Sequence, residues 1–437
     1  MPEAKRVAVL ADSDTRWKWG ALTARRLAPD QDPTGYLLRG RATPTARQLG
    51  EVGVEAARPT EVTCAEFLAE IERESYDVVV LALVGGAVQA VLHGVRALWP
   101  APARRPVLVT GYVGVVYEKL ADGLLLRHGA DLVLANSRAD AERFRGVYAG
   151  VGADASAVTG TTLPFLAGAR YEPVGTRART VVFAVQPSVP QNKAERGYLL
   201  GRAARHARLH PEREVLVKLR SKPGEHTTHL EELPYQKLAE KLPGGLPANC
   251  RLVYGNMGEV LDRTDLLVTV SSTAALESLH RGIPTAVLTD LGIREALGNH
   301  HFLGSGCLAS WDEIDAGALP AGDPAWLAAQ GVGAGAGAGE DPFEAARARV
   351  DELCARAELP PVAPYYTTTT APGYLPGILA RHHLAPDGTP LPGAPRPAGQ
   401  ESRLRRHLRA HLREAARGAY RHGVQRVAPV IRRLGEL

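Results

Sequence analysis

Short apolar runs alternate with amphipathic segments along most of the chain. An apolar run of four to eight residues between polar or turn residues is typical of a buried parallel strand. The segments between the runs have helical spacing, as in residues 64–74, where Phe67, Leu68 and Ile71 recur on one face. In the first half, the runs predict strands at 7–11, 36–38, 77–83, 106–110, 130–135 and 158–160. Strands separated by helices throughout indicate a parallel sheet that is covered by helices on both faces.

The same alternation restarts after a linker at residues 171–179, which holds a proline, a glycine and three charged residues. The second half has predicted strands at 180–185, 214–219, 250–254, 265–270 and 285–288. Its predicted helices are 193–208, 233–241, 257–262 and 343–358. The sequence therefore predicts an α/β protein with two tandem Rossmann-like, doubly wound domains. Such a pair is expected to place a cleft between the domains, facing the carboxyl ends of both sheets.

The expected domain boundaries follow from this pattern. Residues 1–172 are expected to form an N-terminal Rossmann-like domain, and residues 178–380 are expected to form a C-terminal Rossmann-like domain. A Gly/Ala-rich insertion at 331–339 is typical of a flexible segment. Residues 385–437 comprise a Pro/Gly-rich linker followed by a basic amphipathic helical tail.

Charge separates the body of the chain from its tail. The whole chain carries a net charge of +5, but residues 401–437 hold ten arginines and three glutamates. Subtracting this local excess of seven leaves the remainder at −2, which disfavours nucleic-acid binding, because that function needs a basic face on the folded domain. Leu404, Leu408 and Leu412 share one face of the tail, which is typical of a basic helix on an anionic membrane. The alternative is a helix that packs against the body.

Cysteine spacing and hydropathy bear on the compartment. Cys64, Cys250, Cys307 and Cys354 are widely spaced and form no CxxC pair, which indicates reduced thiols in a cytosolic protein. The longest apolar stretch, 78–92, contains two glycines and is shorter than the ~20 residues that span a bilayer. We expect a cytoplasmic protein without a transmembrane segment, peripheral at the inner face of the plasma membrane if its tail binds there.

The most informative motif runs from residue 265 to residue 288. An apolar strand leads into Ser271, Ser272 and Thr273, and a turn with glycine and proline ends the helix that follows. First-turn N–H groups and hydroxyls favour anion binding, so these three residues are candidate ligands of a nucleotide phosphate. Glu277, one turn later, is a candidate acceptor for a ribose hydroxyl. The alternative is an ordinary strand–helix–strand unit with a serine cap.

Further candidates for the nucleotide follow other predicted strands of the second half. Lys218 and Arg220 lie at a strand end, where cations neutralise phosphates and the charge that develops on a leaving group. Gln186 and Tyr254 each follow a strand and are candidates for contact with the base or a phosphate. A surface loop or an ordinary turn is the alternative for all four.

Two carboxylates and two indoles follow the first strand of the chain. A carboxylate can take the proton of an acceptor hydroxyl, and aromatic rings stack on sugars. Asp12 or Asp14 is therefore the predicted base, with helix capping as the competing role. The predicted acceptor contacts are Trp17, Lys18, Trp19, Tyr112 and Glu118.

No metal site is predicted. The Asp-x-Asp pair at residues 12–14 follows the first strand of the first domain, a different place from the metal-binding pair of GT-A enzymes. His300 and His301 have no third ligand at metal spacing. No cofactor is expected.

The two-domain layout and the element Ser-Ser-Thr…Glu…Gly-Ile-Pro together resemble a GT-B glycosyltransferase over roughly residues 5–380. The sequence is most similar to a group of uncharacterised actinobacterial glycosyltransferases, and more distantly to bacterial capsule transferases that use CMP-activated sugars. The resemblance implies that the second domain binds the nucleotide and that the first supplies the acceptor contacts and the base. Retaining members often carry Glu-x7-Glu, but Thr285 stands eight positions after Glu277, which favours inversion.

The sequence thus predicts a metal-independent, inverting glycosyltransferase. It would move a sugar from a nucleotide donor to a cell-envelope or secondary-metabolite acceptor. Two alternatives stay open. A nucleotide-sugar epimerase of the same fold shares the donor site, and a non-catalytic scaffold would use the arginine-rich tail for docking.

Overall fold

The computed structural model describes residues 4–40, 42–54, 59–115, 119–173, 179–222, 225, 233–333 and 341–394. The strands are β1 (Val7–Ala11), β2 (Thr34–Leu38), β3 (Thr60–Val62), β4 (Val78–Ala82), β5 (Val107–Gly111), β6 (Leu132–Ala135), β7 (Val158–Gly160), β8 (Thr180–Ala184), β9 (Glu214–Lys218), β10 (Cys250–Val253), β11 (Leu266–Thr269), β12 (Thr285–Leu288) and β13 (Leu308–Ala309). The helices are α1 (Asp14–Leu27), α2 (Ala46–Glu51), α3 (Cys64–Arg73), α4 (Gly85–Leu98), α5 (Leu120–Leu125), α6 (Arg138–Gly150), α7 (Lys193–Leu209), α8 (Tyr235–Ala239), α9 (Met257–Leu261), α10 (Ala274–His280), α11 (Trp311–Asp315), α12 (Pro324–Ala329), α13 (Glu344–Cys354) and α14 (Leu375–Arg381). Short 3₁₀ turns cover Glu295–Leu297 and Asn299–Phe302.

The described residues form two compact units, each around one parallel sheet. The first sheet has the strand order β3-β2-β1-β4-β5-β6-β7, and the second has the order β10-β9-β8-β11-β12-β13. Every pairing between neighbouring strands is parallel. The predicted fold class, two Rossmann-like doubly wound α/β domains, is confirmed. The predicted helical tail lies outside the described residues.

Each sheet has a switch point, where the strand order changes direction. It lies between β1 and β4 in the first sheet and between β8 and β11 in the second. In open parallel sheets, ligands bind beyond the carboxyl ends of the strands at this position. The residues that follow these four strands are therefore the first candidates for a functional site.

The first unit includes a segment from the far end of the chain. It contains Pro324–Pro397 over its described residues, whereas the sequence alone assigns positions up to 380 to the second domain. Helix α13 packs on α1 and β5, and α14 packs on α4. Apolar side chains of this segment join the buried cluster around β1 and β4, which explains its place. These side chains are Val362, Leu375, Leu379 and Leu384.

The second unit likewise contains an early segment, Pro44–Glu51, together with Ala167–Asp323. Its strands β8, β11 and β12 are completely buried, and Phe183 and Trp311 pack edge to face at its centre. Within the described residues, no helix has the length and hydropathy needed to cross a bilayer.

Candidate functional site

Gln186 and Ser271 meet at the switch point of the second sheet. The Ser271 N–H donates to Gln186 Oε1 at 3.0 Å, and the serine hydroxyl donates to the Leu297 carbonyl at 2.5 Å. Ser271 is only 4% exposed. Its polar groups therefore hold the loop that contains Leu297, so the structure gives Ser271 a supporting place rather than the direct phosphate contact that was predicted.

Ser272 and Thr273 lie closer to the start of α10. Ser272 donates its N–H to Thr269 Oγ1 at 3.2 Å, and its own hydroxyl accepts from the Ala274 N–H at 3.2 Å. Thr273 is partly exposed. In the part of the chain that the structure describes, no residue hydrogen-bonds the Thr273 hydroxyl or N–H. Thr273 therefore retains both groups for a ligand.

Replacing Gln186 with alanine is expected to lower the free energy of unfolding by about 1–3 kcal/mol, because the buried Ser271 N–H would lose its acceptor. Urea unfolding measures the loss. Gln186→Glu is the matched variant, since it keeps an oxygen for this N–H and should retain most of the stability. Equal stability of the alanine variant and the wild type would contradict this account of the turn.

Lys218 is a buried cation at the end of β9. It is 7% exposed, and its ammonium donates to the carbonyl of the next residue at 2.7 Å. Burial lowers the pKa of Lys218 to about 8, while the carboxylates of Glu51 and Glu277 oppose this shift and Arg220 adds to it. Lys218 therefore remains largely protonated at neutral pH, beside two carboxylates and a second cation.

The structure thus brings together three of the predicted nucleotide-side residues. Lys218 interacts electrostatically with Arg220 and with Glu277, which is buried in the first turns of α10. Lys218 ends β9, Arg220 follows that strand, and Glu277 lies in the helix that follows β11 in the same sheet. A site with both cations and a carboxylate can bind phosphates and a sugar or ribose hydroxyl.

Tyr254 follows β10 and is held by its hydroxyl, which accepts from Gln236 Nε2 at 2.7 Å. Its ring lies among cations: Lys222 Nζ is 5.7 Å and Arg47 Cζ is 5.9 Å from the ring centroid. Arg47 comes from α2 and was not singled out in the sequence. No sequence signal points to it, because its partner Glu225 is 178 residues away along the chain.

Asp12 occupies the switch point of the first sheet. Its Oδ1 accepts from Arg16 Nη1 at 2.8 Å, and its Oδ2 accepts from the Val84 N–H at 2.9 Å. Val84 precedes α4, so Asp12 joins the ends of β1 and β4 much as Gln186 joins β8 and β11. Asp14 begins α1 and is 7% exposed. The cap of α1 is Ser13, whose hydroxyl accepts from the Arg16 N–H at 3.4 Å, so Asp12 makes these two contacts without capping that helix.

The two indoles belong to the core, contrary to the prediction that they stack on an acceptor. Trp17 and Trp19 are 2% and 1% exposed. The Trp17 ring fills the space beside Gly35, and a Cβ at Gly111 would come within 2.8 Å of the Trp19 ring. Glycines at these two positions make room for the rings, which explains both tryptophans by packing.

The other predicted acceptor contacts, Lys18, Tyr112 and Glu118, differ in their surroundings. Lys18 Nζ lies 4.7 Å from the centroid of the Phe165 ring. Tyr112 is half-buried, and its ring is covered by the Arg127 guanidinium at 4.0 Å. Burial raises the pKa of Tyr112. Glu118 lies outside the described residues.

Two residues near Asp12 were missed in the sequence. Arg127 is buried and donates to backbone carbonyls of Leu83, Gly111 and Gly123, which follow or end neighbouring elements. His382 ends α14, and burial lowers its pKa while the charge of Asp12 opposes the shift. Neither was visible in the sequence, because the fold alone brings residue 382 beside residue 12.

One group of ligand-type side chains comes together among the described residues, namely His206, His210 and Asp315. His206 Nδ1 lies 2.8 Å from Asp315 Oδ1, and its Nε2 lies 3.2 Å from Arg213 Nη1. Both imidazole nitrogens are therefore engaged in hydrogen bonds. The group lies at the end of α7 that leads into the amino end of β9, away from the carboxyl edge.

The chain was compared with known families and proteins. Residues 7–353 match the model of a family described as "Putative glycosyltransferase (DUF6716)". Comparison with curated proteins gives no match.

Several solved structures resemble the chain in fold. The Neisseria meningitidis UDP-GlcNAc 2-epimerase bound to UDP-GlcNAc has 9% identity and a TM-score of 0.47, covering 80% of this chain and 98% of its own. Anabaena Alr3699/HepE in complex with UDP-glucose has 13% identity and a TM-score of 0.44, covering 80% and 95%. The glycotransferase of kitacinnamycin has 13% identity and a TM-score of 0.42, covering 89% and 97%. Identities and TM-scores this low say nothing about which residues form the site.

Proposed function

The chain belongs to this family of glycosyltransferases, and on that premise we propose that its donor, a nucleotide sugar, binds at the carboxyl ends of β9, β10 and β11. The observation that carries the proposal is the buried, charged Lys218 beside Arg220 and Glu277. A buried ammonium is costly, and a fold retains it where it meets an anion. Glu51 and Glu277 already lie near Lys218, and the phosphates of a nucleotide sugar would add a further anion.

The proposed donor site needs no metal ion. Lys218 and Arg220 would offset the negative charge that develops on the departing nucleotide. In other enzymes a divalent cation stabilises such a charge. Glu277 would accept from a ribose hydroxyl, and Thr273 would donate to a phosphate. Gln186 and Ser271 would hold the turn, and Tyr254 would lie near the base.

We propose an inverting reaction on the acceptor side. The acceptor hydroxyl oxygen would form a bond to the anomeric carbon as the bond from that carbon to the donor phosphate breaks. The hydroxyl proton would pass to Asp12 or Asp14, and the electron pair of the broken bond would leave with the nucleotide. Lys18, Tyr112 and the residues around them would contact the acceptor.

The finer identity of the substrates follows the resemblance. The donor would be a hexosyl nucleotide or a CMP-activated sugar, as in the capsule transferases, and the acceptor a cell-envelope or secondary-metabolite compound. We also propose that the sequence is most similar to actinobacterial members of the family. The ten arginines of residues 401–437 support a cytoplasmic protein that lies on the inner face of an anionic membrane.

Titration of the purified chain with UDP, GDP and CMP tests the donor site. One nucleotide is expected to bind, and at a hundred times its Kd it should stabilise the fold by about 2.7 kcal/mol, seen as a raised Tm. Binding of none of the three would overturn the proposal and favour a scaffold. Conversion of a donor to its isomer without an acceptor would instead identify an epimerase.

A further inference from the structure

We propose that Arg47 is a positioning residue of the donor site. It would act through Glu225, holding the residues that follow β9 so that their cations meet the donor phosphates. This inference rests on the proposed function. Its basis is a set of contacts within the second unit, to which α2 belongs.

The Arg47 guanidinium binds both carboxylate oxygens of Glu225 through two of its nitrogens. Nε donates to Glu225 Oε1 at 2.6 Å, and Nη2 pairs with Oε2. The Thr45 hydroxyl, at the start of the same segment, donates to Oε1 at 3.2 Å. A two-armed arginine–carboxylate pair fixes orientation as well as distance. Glu225 is thereby anchored to α2.

Glu225 passes this restraint on to the chain after β9. Its Oε2 accepts the Lys222 N–H at 2.8 Å, so that Lys222, four residues after the end of β9, is held by the same carboxylate that Arg47 binds. Burial would raise the pKa of Glu225, but the hydrogen bonds from Arg47 and the Lys222 N–H outweigh it, and the pKa is lowered. The carboxylate therefore stays ionised and keeps its grip at neutral pH.

The same arginine faces the other candidates of the donor site. Its Nη1 forms an ion pair with Glu51 Oε1 at 2.5 Å. The carboxylate of Glu51 raises the pKa of buried Lys218, and the guanidinium of Arg47 lowers it. This guanidinium and Lys222 share the ring of Tyr254. Arg47 therefore interacts with Lys218, with Glu225 and with the ring of Tyr254. Its guanidinium nitrogens pair with the carboxylates of Glu51 and Glu225.

The first unit offers a matched control. Arg39 pairs with Glu61 at 2.9 Å, and its side chain is 25% exposed against 24% for Arg47. The pair lies at the ends of β2 and β3. It is also an arginine–glutamate pair with an equally exposed arginine, but it contacts no candidate donor residue among those described. An effect that is general to losing such a pair would appear in both.

The test measures Kd for UDP, GDP and CMP, and kcat with the donor, in variants whose Tm confirms folding. Arg47→Gln is expected to weaken binding of the nucleotide that the wild type binds roughly tenfold, as for residues that orient a ligating group. Binding of the matching nucleoside, which lacks phosphate, should not change, and kcat should stay within about threefold. Arg47→Lys should recover part of the affinity, and Arg39→Gln should leave it unchanged.

Two further results complete the test. Glu225→Gln should reproduce the loss, and the double variant should be no weaker than either single one, because the two residues act as a unit. If Arg47→Gln fails to fold, Arg47→Lys and Glu225→Gln decide the question. Wild-type binding with unchanged affinity in these variants would overturn this inference alone, whereas no nucleotide binding by the wild type would overturn the proposed function with it.

Discussion

Replacing Lys218 with methionine is expected to abolish donor use while making the protein more stable. The ammonium is the buried cation at the end of β9, and its loss should lower kcat/KM by about 10²–10³-fold, the size seen when one preorganised electrostatic group is removed. Its pKa of about 8, against an ordinary 10.5, means that folding bears the cost of burying a charge. Relieving that cost should raise the free energy of unfolding by about 1–3 kcal/mol at pH 7.

The pH dependence of this effect has a definite sign. Below pH 8 the ammonium is protonated in both the folded and unfolded states, and the full cost is present. Between pH 8 and 10.5 the folded state releases the proton first, so this group makes the free energy of unfolding rise with pH. Nucleotide affinity should fall over the same range, because the site loses its cation. Lys218→Met should show neither dependence.

Urea unfolding and nucleotide titration from pH 7 to pH 10 measure both quantities. Lys237→Met, on the exposed face of α8, is the matched control and should leave both unchanged. A Lys218→Met variant that is as active as the wild type would remove Lys218 from the donor site. One that is inactive but much less stable would contradict the account of a costly buried charge.

Converting the catalytic carboxylate to an amide is expected to lower kcat by about 10²–10⁴-fold, the usual contribution of a positioned base. The candidates are Asp12 and Asp14, each changed singly to asparagine. Nucleotide Kd should stay within about twofold, since neither residue is placed at the donor site. Steady-state kinetics with donor and acceptor, together with nucleotide titration, separate the two effects.

Asp12 needs a second measurement because it also has a structural role. Asp12→Asn keeps an oxygen for the Val84 N–H but loses the ion pair with Arg16, so its unfolding is measured alongside its activity. Asp32→Asn, at an exposed pair with Arg25, is the control and should behave as the wild type. Retention of full kcat by both single variants, or a large loss of nucleotide affinity in either, would exclude these residues as the base.

The strands were largely predictable because burial on both faces leaves an apolar run in the sequence. Val7–Ala11, Val158–Gly160 and Thr285–Leu288 are predicted to the residue, and the other predicted strands within one or two positions. Thr60–Val62 and Leu308–Ala309 were missed, because the first has a glutamate at its centre and the second is only two residues long. The order of the strands follows from the general behaviour of doubly wound sheets rather than from particular residues.

The candidate site was predictable only where it follows a strand. Lys218, Glu277 and Gln186 could be named as candidates because they lie at or after the ends of strands, which converge on one edge of a parallel sheet. Arg47 was not, because its role depends on a partner in a distant part of the chain. The tryptophans were misassigned, because two aromatic rings after a strand suggest stacking, whereas their burial depends on glycines at positions 35 and 111 that pattern alone does not pair with them.

The late segment in the first unit has a consequence for synthesis on the ribosome. Four side chains of its buried cluster come from positions 362–384, about two hundred residues after its last strand, β7. At the usual 5–20 residues per second, roughly 10–40 s of translation separate the two. The part of the protein that is made first is therefore completed last, and the nascent chain exposes an unfinished apolar face of α4 throughout that interval.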